Sequence, residues 1–105
     1  MLEIVPSNRF KKDLKLAKKR GLKLPLLEGV IDTLAAQEPL PASNCDHALT
    51  GNYAGYRECH IAPDWLLIYR VDDEALFLFL FRTGTHSDLF FQLTAFIESN
   101  CRKGL

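Results

Sequence analysis

GYRECHIAPDWLLIYRV, residues 55–71, decides the fold. Two arms rich in aromatic and β-branched residues flank Pro63-Asp64. Proline presets φ and aspartate tolerates turn backbone, so the stretch predicts a β-hairpin. If Ala62 and Trp65 close the turn, His60 lies opposite Leu67 and Glu58 opposite Tyr69 on one face, with Arg57 opposite Arg70 on the other. A slip of one residue would exchange the faces. Two facing arginines repel unless an anion or solvent separates them. The simpler reading has both snorkel outward at the sheet's end.

Beyond the hairpin, Asp72-Asp73-Glu74 predicts a turn, and ALFLFLFR, residues 75–82, a third long strand. Its continuous apolar run predicts cover on both faces and a central position. Arg82 closes that strand, so its stem is covered and its guanidinium reaches the rim. A planar fork of donors suits phosphate. Gly84 lets the chain reverse and brings His86 back near Arg82; the plain alternative is a surface turn with an incidental Arg and His. Ser87 can cap a last helix. There Leu89, Leu93 and Phe96 recur at i, i+4, i+7, flanked by Phe90 and Ile97, which makes it apolar over a wide arc. Residues 88–98 are expected to be helical and buried within the monomer; a second copy or a partner protein are the other available covers.

On the N-terminal side, residues 41–55 form a long loop rich in turn formers. Before it, Pro25 suits the first turn of a helix carrying Leu27, Val30, Ile31 and Leu34, ended by Pro39 and Pro41. An earlier helix starts at the cap Ser7, buries Phe10, Leu14 and Ala17 at i, i+4, i+7, and closes at Gly21. LEIVP, residues 2–6, reads as a short first strand. The order is β-α-α-β-β-β-α. It predicts an α+β domain with helices packed on one face of a small, mostly antiparallel twisted sheet.

The chain has 105 residues, which suits one domain over 1–105. Its apolar runs are far short of the roughly 20 residues that span a membrane. The N-terminus lacks a signal-peptide layout, so a cytoplasmic protein is expected. Three cysteines, Cys45, Cys59 and Cys101, are an odd count without CxxC spacing. They read as reduced thiols, with Cys59 a small core residue. The net charge is zero but uneven: residues 1–23 carry eight basic residues against two acidic ones. Lys11, Lys12, Lys15, Lys18 and Lys19 make the first helix a surface able to engage a polyanion, or simply a solvated face.

His47, His60 and His86 all lie near breaks, where a rigid scaffold places catalytic groups; they could equally be unrelated polar residues at surface turns. With Asp64 they could supply metal ligands, but the spacing matches no standard signature. No metal or other cofactor is therefore expected. Phosphate-binding glycine loops and nucleophile-elbow motifs are absent.

DHALTG (46–51), GYRECHIAPDWLLIY (55–69) and RTGTHSDLF (82–90), together with the β-α-α order and the lysine-rich first helix, resemble the YafQ branch of the RelE/ParE toxin superfamily. The resemblance covers residues 1–91. It implies a RelE-like, microbial-ribonuclease-like fold and the toxin of a type II toxin–antitoxin pair, a ribosome-dependent endoribonuclease that cuts mRNA. It places the family's active-site positions on His47, His60, Asp64, His86 and Phe90, with Arg82 at the basic position before the Gly turn. The lysines of the first helix, Arg57 and Phe90 complete the expected RNA-binding set. The implied partners are a cognate antitoxin of ribbon-helix-helix type, with a heterotetramer as one assembly, and the ribosome with its mRNA. In the family the antitoxin wraps the toxin and can displace a C-terminal segment. Two features depart from the pattern. Cys45 stands where a basic residue is frequent, and residues 92–105 form a C-terminal extension, expected to be helical.

The residue types fit that chemistry. A ribonuclease that uses the substrate's 2′-OH needs a base for that proton, an acid for the leaving 5′-oxygen and a cation for the phosphorane. Histidine suits both proton roles, Arg82 the charge, and Phe90 can stack on an unpaired base. The competing reading is a ParE-like toxin that binds DNA gyrase and cuts nothing, for which three imidazoles and an aspartate around one groove have no use. A third is a domain without activity whose tail mediates assembly.

Overall fold

The computed structural model describes residues 1–89. Its elements are β1 (Glu3–Pro6), α1 (Asn8–Lys19), α2 (Leu24–Ala35), β2 (His47–Ala48), β3 (Arg57–Ala62), β4 (Trp65–Asp72), β5 (Phe77–Gly84) and α3 (His86–Leu89). The order matches expectation, with the two-residue β2 added. The sheet runs β1-β5-β4-β3-β2; only β1 with β5 is parallel, and the other three pairings are antiparallel.

The local signals read from the sequence recur as contacts. Ser7 Oγ accepts the Phe10 N–H at 2.9 Å and donates to the Phe81 carbonyl, which fixes the start of α1 to the end of β5. At the other end, Gly21 takes φ +76°. Its N–H donates to the Lys18 carbonyl and the Leu22 N–H to the Ala17 carbonyl, the two bonds of a Schellman closure. Phe10 and Ala17 of α1 and Leu27, Val30 and Leu34 of α2 pack on the sheet face formed by Cys59, Trp65, Leu67, Tyr69, Leu78 and Leu80. The alternate residues Leu66 and Ile68 face the other way and pack with Leu49 and with Leu89 of α3. α1 and α2 thus share one face, and α3 sends Leu89 to the opposite one.

Two details differ from expectation. The apolar run 75–81 is not all strand. Asp72 Oδ1 accepts the Glu74 and Ala75 N–H groups, and Leu76 turns at φ +61°, so β5 begins at Phe77. The hairpin register also shifts. Ala62 does pair with Trp65, but an irregularity between His60 and Ala62 sets His60 opposite Leu66, Glu58 opposite Ile68 and Arg57 opposite Tyr69. One extra residue on β3 produces this slip. The expected Arg57–Arg70 confrontation therefore does not exist. Arg57 donates to Asp46, and Arg70 lies 5.6 Å from the centre of the Tyr56 ring on the other face.

Cys59 is a buried free thiol, as read; Cys45 is disulfide-bonded, which corrects the reading of three reduced cysteines. The helix expected over 88–98, Phe90 and the extension 92–105 lie outside the described residues, apart from the α3 turn itself. Among the described residues no helix is long and apolar enough to cross a membrane.

Candidate active site

Register brings the chemistry together. Across the sheet, His47 pairs with Glu58, Glu58 with Ile68, and Ile68 with Arg82, so these four residues form one row; His47, Glu58 and Ile68 lie on the face opposite α1 and α2, while Arg82, beside the register shift between Ile68 and Tyr69, reaches Asp13 of α1. The next row on that face is His60, Leu66 and Gly84. Trp65 follows Asp64 on one strand, and Thr85 and His86 follow Gly84 on another. The hairpin tip and the β5–α3 corner therefore share one end of the sheet.

Glu58 is the residue that sequence reasoning left out of the site. It is 0% exposed, in the middle of an apolar sheet. His47 Nε2 lies 3.6 Å and His60 Nε2 3.8 Å from its Oε1. Among the described residues neither carboxyl oxygen takes part in a hydrogen bond. Burial disfavours the charge and pushes its pKa up to about 7. Its signal in the sequence was the Glu-x-His spacing inside a strand, which puts Glu58 and His60 on one face whatever the partner strand does.

The orientation of His47 can be deduced. Its Nδ1 is 2.7 Å from the Cys45 carbonyl oxygen, which can only accept, so Nδ1 carries the proton. In the neutral ring Nε2 is then a bare lone pair, and it is this atom that faces Glu58. Asp46 anchors the loop on the other face, accepting from the Tyr69 hydroxyl and from Arg57 Nε. His60 is held on the backbone side, where Asn44 Nδ2 donates to its carbonyl at 2.7 Å. Two imidazole nitrogens thus flank a carboxyl that is neutral or charged at equal cost near pH 7. Both separations exceed a hydrogen bond, so a proton crosses only on closer approach or through a water.

Arg82 is not the bare cation expected at the rim. Its Nε and Nη2 donate to the two carboxylate oxygens of Asp13 at 3.0 and 2.9 Å, and the Thr83 N–H donates to Asp13 Oδ2 at 3.2 Å. This fork fixes the guanidinium and leaves Nη1 outside the pair, while the carboxylate offsets part of its positive field. Asp13 was invisible as a partner because it sits 69 residues away, among the lysines of α1. Those lysines, Lys11, Lys12, Lys15, Lys18 and Lys19, are exposed as expected.

Asp64 is exposed in the turn between β3 and β4, and His86 opens α3. Arg57, grouped with the RNA-binding residues, points to the α1–α2 side with Tyr69 and away from the Glu58 face. Among the described residues no group of three His, Cys, Asp or Glu is arranged to hold a metal ion.

Comparison with known proteins shows the family. Residues 2–91 match the family described as the bacterial toxin of type II toxin–antitoxin system, YafQ. The chain is 43% identical over 89 residues to the mRNA interferase toxin YafQ of Escherichia coli strain K12, covering 84% of this chain and 95% of that protein. A metal-bound toxin from Helicobacter pylori is similar at TM-score 0.81 and 46% identity, over 86% of this chain and all of that one. A chain of the E. coli DinJ–YafQ complex is similar at TM-score 0.78 and 42% identity, over 86% of this chain and 99% of that one.

Proposed function

The chain belongs to the YafQ family, the toxins of type II toxin–antitoxin systems, and from that premise we propose that it arrests translation by cutting mRNA on the ribosome. As an mRNA interferase it is an endoribonuclease. The substrate's own 2′-OH attacks the adjacent phosphorus and the 5′-oxygen leaves. The products carry a 2′,3′-cyclic phosphate and a 5′-hydroxyl, and no metal is needed for the step. The observation that carries this reading is the buried Glu58, with a carboxyl near pH 7 and two imidazole nitrogens within 3.8 Å.

In this reading His60 takes the 2′-OH proton, and Glu58 relays it within the cluster. His47, its tautomer fixed by the Cys45 carbonyl, keeps an acceptor aimed at Glu58. His86 at the β5–α3 corner protonates the leaving oxygen. Arg82, fixed by Asp13, offers Nη1 to the phosphorane. Asp64 positions substrate, and Phe90, beyond the described residues, stacks on a base. The lysines of α1 contact ribosomal RNA. A cognate antitoxin is the partner, by analogy with the DinJ–YafQ complex; the family resemblance read from the sequence makes it a ribbon-helix-helix protein and the assembly a heterotetramer. The gyrase-binding alternative leaves the Glu58 cluster without a role.

The test is cleavage of a translated mRNA by the purified toxin with and without ribosomes, with the product ends mapped. A 2′-deoxy substitution at the cut should abolish cleavage, and His86→Ala should lower its rate by about 10²–10⁴-fold. No cleavage by the intact toxin on ribosomes, or cleavage of the 2′-deoxy substrate, refutes the mechanism.

A further inference from the structure

The corner that carries His86 is built around the Asp88 carboxylate. Asp88 Oδ2 accepts the Thr85 N–H at 3.0 Å, and the Asp88 N–H donates back to Thr85 Oγ1 at 3.2 Å. These are the reciprocal bonds of a capping box, with Asp in the place usual for Glu. His86 stands inside the box. A Cβ on Gly84 would lie 3.0 Å from Asp88 Oδ2 and 3.2 Å from Asp88 Cβ, so the carboxylate occupies the space a side chain there would need.

Asp88 Oδ2 also accepts from Arg20 Nη1 at 2.8 Å, across 68 residues of sequence. Arg20 caps the C-terminus of α1, and the Schellman closure at Gly21 fixes its backbone. Asp13, which grips Arg82, is seven residues earlier. At 3.6 residues per turn, Asp13 and Arg20 lie on one face of α1, about two turns apart. They meet Arg82 and Asp88 with charges crossed: an acid on α1 takes the base at the strand end, and a base on α1 takes the acid on α3. The Arg20–Asp88 pair is 40% and 28% exposed. Such pairs contribute little to stability, so its use must lie elsewhere.

We infer that Arg20 and Asp88 are positioning residues, which lock the His86 turn to α1 at a set distance from Arg82 and the Glu58 cluster. The inference rests on the endoribonuclease reading and names the contact that keeps acid and base in register. Misplacing a reacting group by about 1 Å can cost about 10²-fold. Loss of this clamp should therefore appear in kcat and leave substrate binding alone.

The experiment measures kcat and KM for ribosome-bound mRNA with Arg20→Gln, Asp88→Asn, the double variant and Arg20→Lys, alongside thermal unfolding. Arg20→Gln and Asp88→Asn should each lower kcat by roughly 10- to 100-fold with KM and the unfolding midpoint unchanged. The double variant should be no worse than the poorer single one, because both break the same contact. Arg20→Lys, which keeps a donor and the charge, should recover most of the rate. A wild-type kcat in Arg20→Gln, a loss confined to KM, or multiplicative losses in the double variant would overturn the inference. If the wild-type toxin itself cuts nothing on ribosomes, it is the endoribonuclease reading that fails, and the clamp with it.

Discussion

Replacing Glu58 by glutamine should shift stability in the variant's favour as the pH rises to neutrality, although it removes a residue from the centre of the site. Burial lifts the Glu58 carboxyl from 4.5 to about 7. Between those values the unfolded chain has released the proton while the folded protein still holds it. Each rise of one pH unit in that window therefore favours unfolding by about 1.36 kcal/mol. Across the window the wild type loses about 3 kcal/mol from this group, with the loss complete above pH 7 and absent below 4.5. The Glu58→Gln side chain cannot titrate, so any fixed cost of its amide is the same at every pH. The gap between variant and wild type should widen by about 3 kcal/mol from roughly pH 4.5 to pH 8. Urea unfolding at a series of pH values, followed by the fluorescence of the buried Trp65, reads this directly. A gap that stays constant with pH, or narrows as pH rises, would show that Glu58 is charged in the folded protein and refute the account of the site.

Three further outcomes follow from the same contacts. Asp13→Asn leaves the half-buried Arg82 without its forked partner and should destabilise the fold by about 2 kcal/mol in urea titration. Trp65→Phe removes the indole donor to Thr83 Oγ1, whose own hydroxyl holds the Leu66 carbonyl; circular dichroism in urea should show a loss of about 2 kcal/mol. Gly84→Ala pushes a methyl against Asp88 and should slow mRNA cleavage about 10-fold while the far-ultraviolet spectrum stays unchanged.

What the sequence made legible was local. Ser7, Gly21 and Pro25 act within one turn of where they stand, and each appears in its expected role. The Pro63-Asp64 turn and the Ala62–Trp65 closure were equally readable. The bulge between His60 and Ala62 was not, because Ile61 carries no mark of it; whether the extra residue is accommodated depends on the partner strand. The site divides in the same way. Glu58 and His60 share a face by simple alternation. The Asp13–Arg82 and Arg20–Asp88 pairs span 69 and 68 residues and arise only when α1 is laid along the end of β5. An acidic residue among lysines gives no hint that it is the one turned inward.

The two halves of the site are held by opposite means, and this explains its cost. The Glu58 side is buried in the sheet, where low polarity shifts a carboxyl to the pH at which a proton moves with little free-energy change. Above neutrality that placement subtracts about 3 kcal/mol from a fold whose total stability is of the order of 5–15 kcal/mol. The Arg82–His86 side is a chain reversal at the rim, anchored below by Leu89 in the apolar cluster with Leu49, Leu66 and Ile68. There, pairs of charges seven residues apart on α1 do the fixing, because hydrogen-bonded ion pairs set direction as well as distance. A buried glutamate with no hydrogen bond among the described residues is a poor choice for stability, and a partly exposed Arg20–Asp88 pair adds almost none. Both make sense under the endoribonuclease proposal, in which a proton source and a proton acceptor would have to face the same phosphate without the fold relaxing between them.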